Sequence, residues 1–419
     1  MGTGPGAETG TEAVRGEEGA ARAEPGVGSA KGRFGIFGGR YVSETLVHAL
    51  TDLEDAFGRH YPTEEFQRIF RGLLRDYGGR PTPLYHAENL SRIVGFKVYL
   101  KREDLLCGGS HKLNNSIGQA LLAKRMGKRR LITETAAGQH GVSAAMAGNI
   151  LGLETEVFMG VKDIARQEGN VKRMRLLGAK VKPVATGEGV LKDAVSETLR
   201  EWAACSRTAH YLMGSTVGPH PFPTIVGAFQ SVIGEEIRAQ ILEKEGRLPD
   251  AIVACGSGGS NAIGAFRPFL DERDVRLHFV EGGGESLDAD NCAAAFVLGR
   301  PGVLHGALMQ LLQDEHGQVK PSRTRAAGLN YPGRGPEISY LCHSGRVKAG
   351  YAFDSEVFEA VKVTCRSEGL IPALETAHAL AYILGHREEF DKGDVVVVNY
   401  SGRGDKDVET ILRHLEGEI

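Results

Sequence analysis

A lysine between a pair of glycines and an amphipathic segment is the first candidate for chemistry in this chain. In "GGSHKLNNSIGQALLAKRMGKRR", residues 108–130, the apolar residues Ile117, Ala120, Leu121, Ala123 and Met126 recur at three- and four-residue steps. That is the helical period, so Lys112 belongs to the first turn of a helix. The dipole of a helix start favours anions, and cations gather in the last turn, where Lys124, Lys128, Arg129 and Arg130 stand. A cation held against the dipole, beside glycines that let other groups approach, has reason to give up its proton and act as a nucleophile. Taken alone, the stretch fits a solvated surface lysine as well.

Three further stretches place unusual residues at the ends of apolar runs. "RLITET" leads into "AAGQHGVSAAMAG", small residues whose N–H groups can converge on a carboxylate, with Glu134 directly before the turn. "DAIVAC" leads into "GSGGSNAIGAF", where Gly256, Ser257, Gly258, Gly259, Ser260 and Asn261 form a phosphate cradle by the same physics. This turn lacks the lysine of a P-loop and the spacing of a dinucleotide fingerprint, and tight packing alone can require such glycines. "VVVVNYSGRGDKD" ends a strand with Ser401, whose hydroxyl can face a ring nitrogen or cap the helix that follows. A nucleophilic lysine, a phosphate cradle, a carboxylate-binding turn and such a hydroxyl together suit pyridoxal phosphate held as a Schiff base.

The elements that must position these groups alternate along the chain. "FKVYLKRED", "RLITET", "ETEVFMG" and "KVKPVAT" read as strands, separated by helices through Lys112, "HGVSAAMAGNILGL", "NVKRMRLLGA" and "LKDAVSETLREWAAC". A second series follows: one long helix "TIVGAFQSVIGEEIRAQILEKEG", the strand "DAIVAC", a helix, "VRLHFVEGGG" and "GDVVVVNYS". Alternation of this kind predicts an α/β protein with mostly parallel sheets, and two series predict two α/β units. Ligands then sit at the carboxyl ends of strands and in the cleft between units. The Gly-, Ala- and Glu-rich residues 1–30 have almost nothing to bury and are expected to be a disordered tail.

Composition sets the context. With 419 residues, 41% hydrophobic, 25% charged and a net charge of -3, the chain reads as an ordinary globular protein too long for one small core. No basic excess points to nucleic acid. Cysteines 107, 205, 255, 292, 342 and 365 are scattered, indicating neither a disulfide framework nor a zinc site. The absence of a long uncharged apolar run or signal-peptide core leads us to expect a cytoplasmic protein away from membranes.

In order along the chain, "GGSHKLNN", "ETAAGQHG", "GSGGSNAIGAF", "GLNYPGRGPEISYL", "IPALETAHAL" and "NYSGRGDKD" resemble the β subunits of tryptophan synthases, from about Phe34 to the C-terminus. The resemblance implies fold type II of the pyridoxal phosphate enzymes: two three-layer α/β domains with the cofactor in the cleft between them. Residues 31–77 and 111–229 would form the N-terminal domain, with a mobile subdomain at about 127–214. Residues 78–110 and 230–419 would form the C-terminal domain. The implied reaction is β-replacement on L-serine with indole to give L-tryptophan.

By the same resemblance Lys112 binds the cofactor and removes the substrate's α proton, and His111 and Asn114 lie beside the cofactor. Glu134 helps expel the β-hydroxyl. Thr135, Ala136, Gly138, Gln139 and His140 match the loop that binds the substrate carboxylate. Gly258, Gly259, Ser260 and Asn261 match the phosphate cradle, Glu375 an acid near the cofactor, and Ser401 the partner of the pyridine nitrogen. A monovalent cation, Na+ or K+, held largely by backbone carbonyls, is implied near Ser257 and Tyr331.

Several residues depart from the family's pattern. Asn330 stands where an Asp is usual, the one that contacts the substrate hydroxyl and pairs with the arginine matching Arg166 when the site closes. Arg334 replaces a small apolar residue and Ile338 a histidine. Ala136 and Ser257 replace glycines, Leu113 a threonine and Cys107 a histidine. We expect Ala136 to be penalised if its φ is positive. Such changes suit either drift in a tryptophan synthase or a paralogue using another donor, such as O-phosphoserine, or another nucleophile. In the second case Arg334 would receive the acidic substituent. Another fold type II β-eliminating lyase would share the lysine and the cradle but lack Glu134. Lys192 and the segment "DIARQEGNVKRMRLLGA" resemble the region facing the α subunit, which implies that partner, and a homodimer is the family's habit.

Overall fold

The computed structural model describes Met1, residues 31–288 and residues 291–417, so the rest of the tail expected to be disordered lies outside the described residues. All six residues of the strand Val395–Tyr400 are buried. Val395 and Val397 enter one apolar cluster and Val396 and Val398 another, because successive side chains of a strand point to opposite faces. A strand covered on both faces reads as a continuous apolar run, which is why four valines stand together.

This strand lies inside a six-stranded sheet. Its order is Lys348–Phe353, Arg276–Gly284, Ala251–Cys255, Val395–Tyr400, Lys97–Arg102 and Leu84–His86. All neighbours pair parallel except the edge strand Leu84–His86, which runs antiparallel to Lys97–Arg102. A second, wholly parallel sheet has the order Lys180–Val184, Glu154–Gly160, Arg130–Thr135 and Ala209–Tyr211. The helix Gln139–Leu151 packs on its central strands and against the helix Lys112–Arg125. On the helix Leu191–Cys205, Trp202 sets its ring edge to Tyr211 and Phe222.

Sequence periodicity does not foretell a small antiparallel sheet. It joins Arg33–Phe34, Phe37–Gly38, Ala307–Leu311 and Arg300–Leu304, with Gly333–Arg334 paired to Ala307–Leu311. Its strands are too short or too far apart in the chain for a local pattern to show.

The single long helix expected after residue 223 is two helices, Phe222–Gln230 and Val232–Glu245. The break falls at Ser231, whose hydroxyl donates to the Gly227 carbonyl at 2.8 Å. A serine that bonds its own turn competes with the helical ladder and favours a bend. Among the described residues no helix is long and apolar enough to cross a membrane, and no group of His, Cys, Asp and Glu could hold a metal ion. All six cysteines are free.

Candidate active site

Lys112 is the first residue of its helix, and the chain before it is tied down: the His111 N–H donates to the Ser401 carbonyl at 3.1 Å. The lysine Nζ donates to the Gly214 carbonyl at 2.6 Å and to Ser260 Oγ at 3.3 Å. Burial pulls its ammonium down to about 8, against the opposing pull of Glu134 and Glu375. His111 is neutral, because burial and the adjacent Lys112 charge pull it down to about 3. Its Nδ1 lies 3.2 Å from the Ser401 carbonyl, which can only accept, so Nδ1 carries the proton. Nε2 then accepts from Ser260 Oγ at 3.2 Å.

Two cavities of about 100 Å³ each open on Lys112. The first is walled by the turn Gly256–Asn261, Glu375 and Ser401. The second is walled by Glu134, Thr135, Ala136, Ala137, Gln139, His140, Gly214 and Tyr331. They share Gln139, Ser257 and Gly258, so one ligand can reach both. Their walls come from both parallel sheets, at the carboxyl ends of Arg130–Thr135, Ala251–Cys255 and Val395–Tyr400.

Packing requires the glycines of the first cavity. Gly259 has φ +96°, and a Cβ at Gly258 would lie 2.4 Å from Ser215 Oγ. The helix Ser260–Phe266 begins directly after them, so first-turn N–H groups without a carbonyl behind them face the space. Asn261 closes the turn by donating to the Cys255 carbonyl at 2.8 Å. Ser401 does not cap a helix: its hydroxyl lines the cavity, 2.9 Å from Thr376 Oγ1. Glu375 accepts from Gly328 N–H at 2.8 Å and pairs with Lys406 at 2.9 Å. Although burial works against it, Lys406 holds that carboxyl below the usual range.

In the second cavity, Glu134 Oε1 accepts from the Gly214 N–H at 3.0 Å, while Oε2 makes no hydrogen bond of normal geometry and the buried Tyr211 hydroxyl stands close to the carboxyl. Burial pushes this carboxyl up to about 7, against the lowering effects of the Tyr211 hydroxyl, the Gly214 N–H and Lys112. Thr135 Oγ1 accepts from the Gly141 N–H at 3.3 Å, tying the strand end to the next helix. Gly138 has φ +82°, and a Cβ there would lie 2.4 Å from Asn170. The strain expected at Ala136 is absent, because His305 is the only non-glycine residue with positive φ among those described. Gln139 Oε1 and His140 Nδ1 are buried without hydrogen-bond partners, and both residues line this cavity with Glu134.

Other expected residues stand elsewhere. The Asn114 side chain faces away from both cavities: it donates to Glu103 and Gln230, each at 3.1 Å, and accepts from Arg80 at 2.9 Å. Arg166, Lys192 and Asn330 come together on a separate groove of about 860 Å³. There Asn330 accepts from Thr324 Oγ1 and donates to the Thr324 carbonyl, both at 3.0 Å, and Lys192 pairs with Asp193 at 3.0 Å. Arg334, offered above as a receiver for an acidic substituent, is 0% exposed and lines neither cavity. Its guanidinium is bonded to Glu281 and to backbone carbonyls, so its donors do not face a substrate.

Sequence reasoning missed Gly214 and Lys406. Gly214 acts through its backbone, which no residue type announces. Lys406 stands in "GRGDKD", where no local pattern marks it, and its side chain is buried between Glu375 and Asp407.

The residues fit a phosphorylated pyridine aldehyde. An amine of lowered pKa and a bare glycine turn with free N–H groups face one cavity, and the unpartnered Ser110 Oγ and Gln139 Oε1 are buried in its wall. Residues 75–402 match the family described as pyridoxal-phosphate dependent enzyme, and the chain belongs to it. The fold agrees. A fungal L-serine ammonia-lyase from Rhizomucor miehei superposes with TM-score 0.62 at 19% identity, over 81% of this chain and 98% of that one. A pyridoxal 5'-phosphate-dependent aspartate racemase does so with TM-score 0.61 at 18% identity, over 86% and 97%. Within the family, the chain is 53% identical over 386 residues to the tryptophan synthase beta chain 1 of Methanosarcina acetivorans, covering 91% of this chain and 96% of the relative.

Proposed function

We propose that this protein condenses L-serine with indole to give L-tryptophan, the β-replacement of a tryptophan synthase β chain, with pyridoxal phosphate as cofactor. The observation that carries the reading is Glu134, a buried carboxyl pushed up to about 7 across a shared cavity from Lys112, in a chain 53% identical to a tryptophan synthase beta chain. Lys112 would hold the aldehyde carbon, the turn Gly258–Asn261 and Ser260 the phosphate, and Ser401 the ring nitrogen. When bound, the cofactor supplies an electron sink for the carbanion at the substrate's α carbon.

The chain's own groups do the rest. Lys112, whose burial favours the neutral amine, takes the α proton, and the Gly214 carbonyl orients its Nζ. Glu134, held near its proton at neutral pH and lining the cavity, donates it to the departing β-hydroxyl. The turn before helix Gln139–Leu151 receives the substrate carboxylate on first-turn N–H groups. A neutral Ser401 leaves the ring nitrogen unprotonated, which favours elimination over a long-lived carbanion. The groove with Arg166, Lys192 and Asn330 suits closure over the site and contact with an α-subunit partner. Residues 31–77 with 111–229, and 78–110 with 230–419, are the two domains we propose to move in that closure, in a homodimer.

The test is incubation of the purified protein with pyridoxal phosphate, L-serine or O-phosphoserine, and indole, with chromatographic detection of tryptophan. We expect tryptophan from serine. Turnover of O-phosphoserine but not serine would defeat the reading.

A further inference from the structure

The guanidinium of Arg334 sits in a nest of oxygens. Nη1 donates to the carbonyls of Tyr331 at 2.7 Å and Gly333 at 3.1 Å, and lies 3.4 Å from Ser257 Oγ. Nη2 donates to the Ala293 carbonyl, and Nε meets Glu281 Oε1 at 2.5 Å. Arg334 and Glu281 are both 0% exposed. Glu281 also accepts from the N–H groups of Ala295 and Phe296 at 2.9 and 3.0 Å.

Three carbonyls, a hydroxyl and a carboxylate turned toward one buried point repel each other unless a cation stands among them. Their attachments matter for function. Ser257 lies in the glycine turn and lines both cavities, and its hydroxyl also donates to the Tyr331 carbonyl at 3.2 Å. Tyr331 lines the second cavity and follows Asn330. Gly335 N–H donates to the Gly258 carbonyl at 3.2 Å, a second tie between the two loops. The oxygens near Ser257 and Tyr331 that a Na+ or K+ ion would need are therefore already bonded to a side chain of the same chain.

We propose that Arg334 is a built-in cation: its guanidinium takes the place of a monovalent metal ion, sets the Ser257 and Tyr331 loops, and frees the enzyme from any requirement for Na+ or K+. Arg334 is thus a positioning residue. The proposal rests on the reading of the first cavity as the cofactor site and not on the identity of the donor or nucleophile. A tethered cation suits the nest because guanidinium carries five donors in a fixed plane and stays charged at every physiological pH. A metal ion can leave when its concentration falls. Arg334 cannot.

The experiment titrates the holoenzyme with KCl or CsCl against choline chloride at constant ionic strength, reading cofactor dissociation by fluorescence and the melting temperature. Neither readout needs serine or indole, so the outcome is separable from the test of the reaction. The unmodified protein is expected to show no saturable response to either metal, and crystals soaked in Rb+ no anomalous peak beside the Tyr331 carbonyl. Arg334→Ala is expected to bind the cofactor about tenfold or more weakly, as when a supporting group of a site is removed, with recovery on adding K+ or guanidinium ion. Saturable K+ dependence of the unmodified protein, Rb+ bound beside Tyr331 with Arg334 in place, or undiminished cofactor affinity of Arg334→Ala without added cation would each overturn the proposal. Should Arg334→Ala not fold, the titration and the Rb+ soak of the unmodified protein decide the question alone.

Discussion

Lys112 and Gly214 meet at 2.6 Å, Nζ to carbonyl oxygen, although 102 residues separate them in the chain. The N–H of the same glycine donates to Glu134 at 3.0 Å. One residue thus holds the base and the acid of the proposed reaction at fixed places.

Gly214→Ala tests that arrangement. A Cβ there would lie 2.5 Å from the His140 ring and 2.8 Å from Glu134 Oε1. We expect a folded protein with kcat lowered about tenfold to a hundredfold, since small misplacement of reacting groups is costly. Steady-state kinetics beside a melting curve check this. Unchanged kcat would show that Glu134 is not positioned from Gly214.

Lys112→Ala should abolish covalent attachment of the cofactor. Borohydride reduction followed by peptide mass spectrometry is expected to find the cofactor on the Lys112 peptide of the unmodified protein and nowhere in the variant. Labelling of another lysine in the unmodified protein would refute the assignment.

Glu134→Gln should keep cofactor binding and lower kcat by about 10² to 10⁴, the usual worth of a positioned acid or base. It also carries a pH signature. The Glu134 pKa is raised from 4.5 to about 7 on folding, so its stabilising contribution is complete below 4.5 and lost as pH rises through 7. Denaturation of the cofactor-free protein at intervals from pH 4.5 to 7.5 should show the variant gaining stability relative to the unmodified protein. A constant difference would mean that the carboxyl is not held near its proton.

Arg80→Met probes the support beneath the Lys112 helix. Arg80 reaches Glu103 at 2.8 Å, Glu236 at 2.8 Å and Asn114 at 2.9 Å. Removing it leaves Glu103, 0% exposed, without its main counter-charge, and should cost about 3–5 kcal/mol in urea denaturation. In the unmodified protein Arg80 holds Glu103 down to about 2 even though burial opposes it. That contribution is present above 4.5 and is lost as pH falls toward 2, so the gap between the two proteins should narrow in acid.

Much of this was legible in the chain. The strands "ETEVFMG" and "RLITET" and the helix "LKDAVSETLREWAAC" match Glu154–Gly160, Arg130–Thr135 and Leu191–Cys205 end to end, since burial on one or both faces writes a period or an apolar run into the sequence. The break at Ser231 was not legible, because an apolar pattern that continues across one hydroxyl looks like one helix. Nor was the antiparallel sheet of Arg33–Phe34, Phe37–Gly38 and Ala307–Leu311: its two-residue strands are too short to show a period, and the pairing of Gly38 with Leu308 joins distant parts of the chain.

The site divides in the same way. Residue types and local order were enough to single out Lys112, Glu134, the turn Gly256–Asn261 and Ser401, because each stands at the end of a strand or the start of a helix, where backbone geometry forces polar groups toward a ligand. Only the tertiary structure decided that Asn114 serves a buried network, that Gly214 joins Lys112 to Glu134, and that Arg334 faces backbone carbonyls instead of a substrate. The physical reason is that a side chain's partner, when it is a peptide group or a charge brought from another element, leaves no mark on the residues around it in sequence.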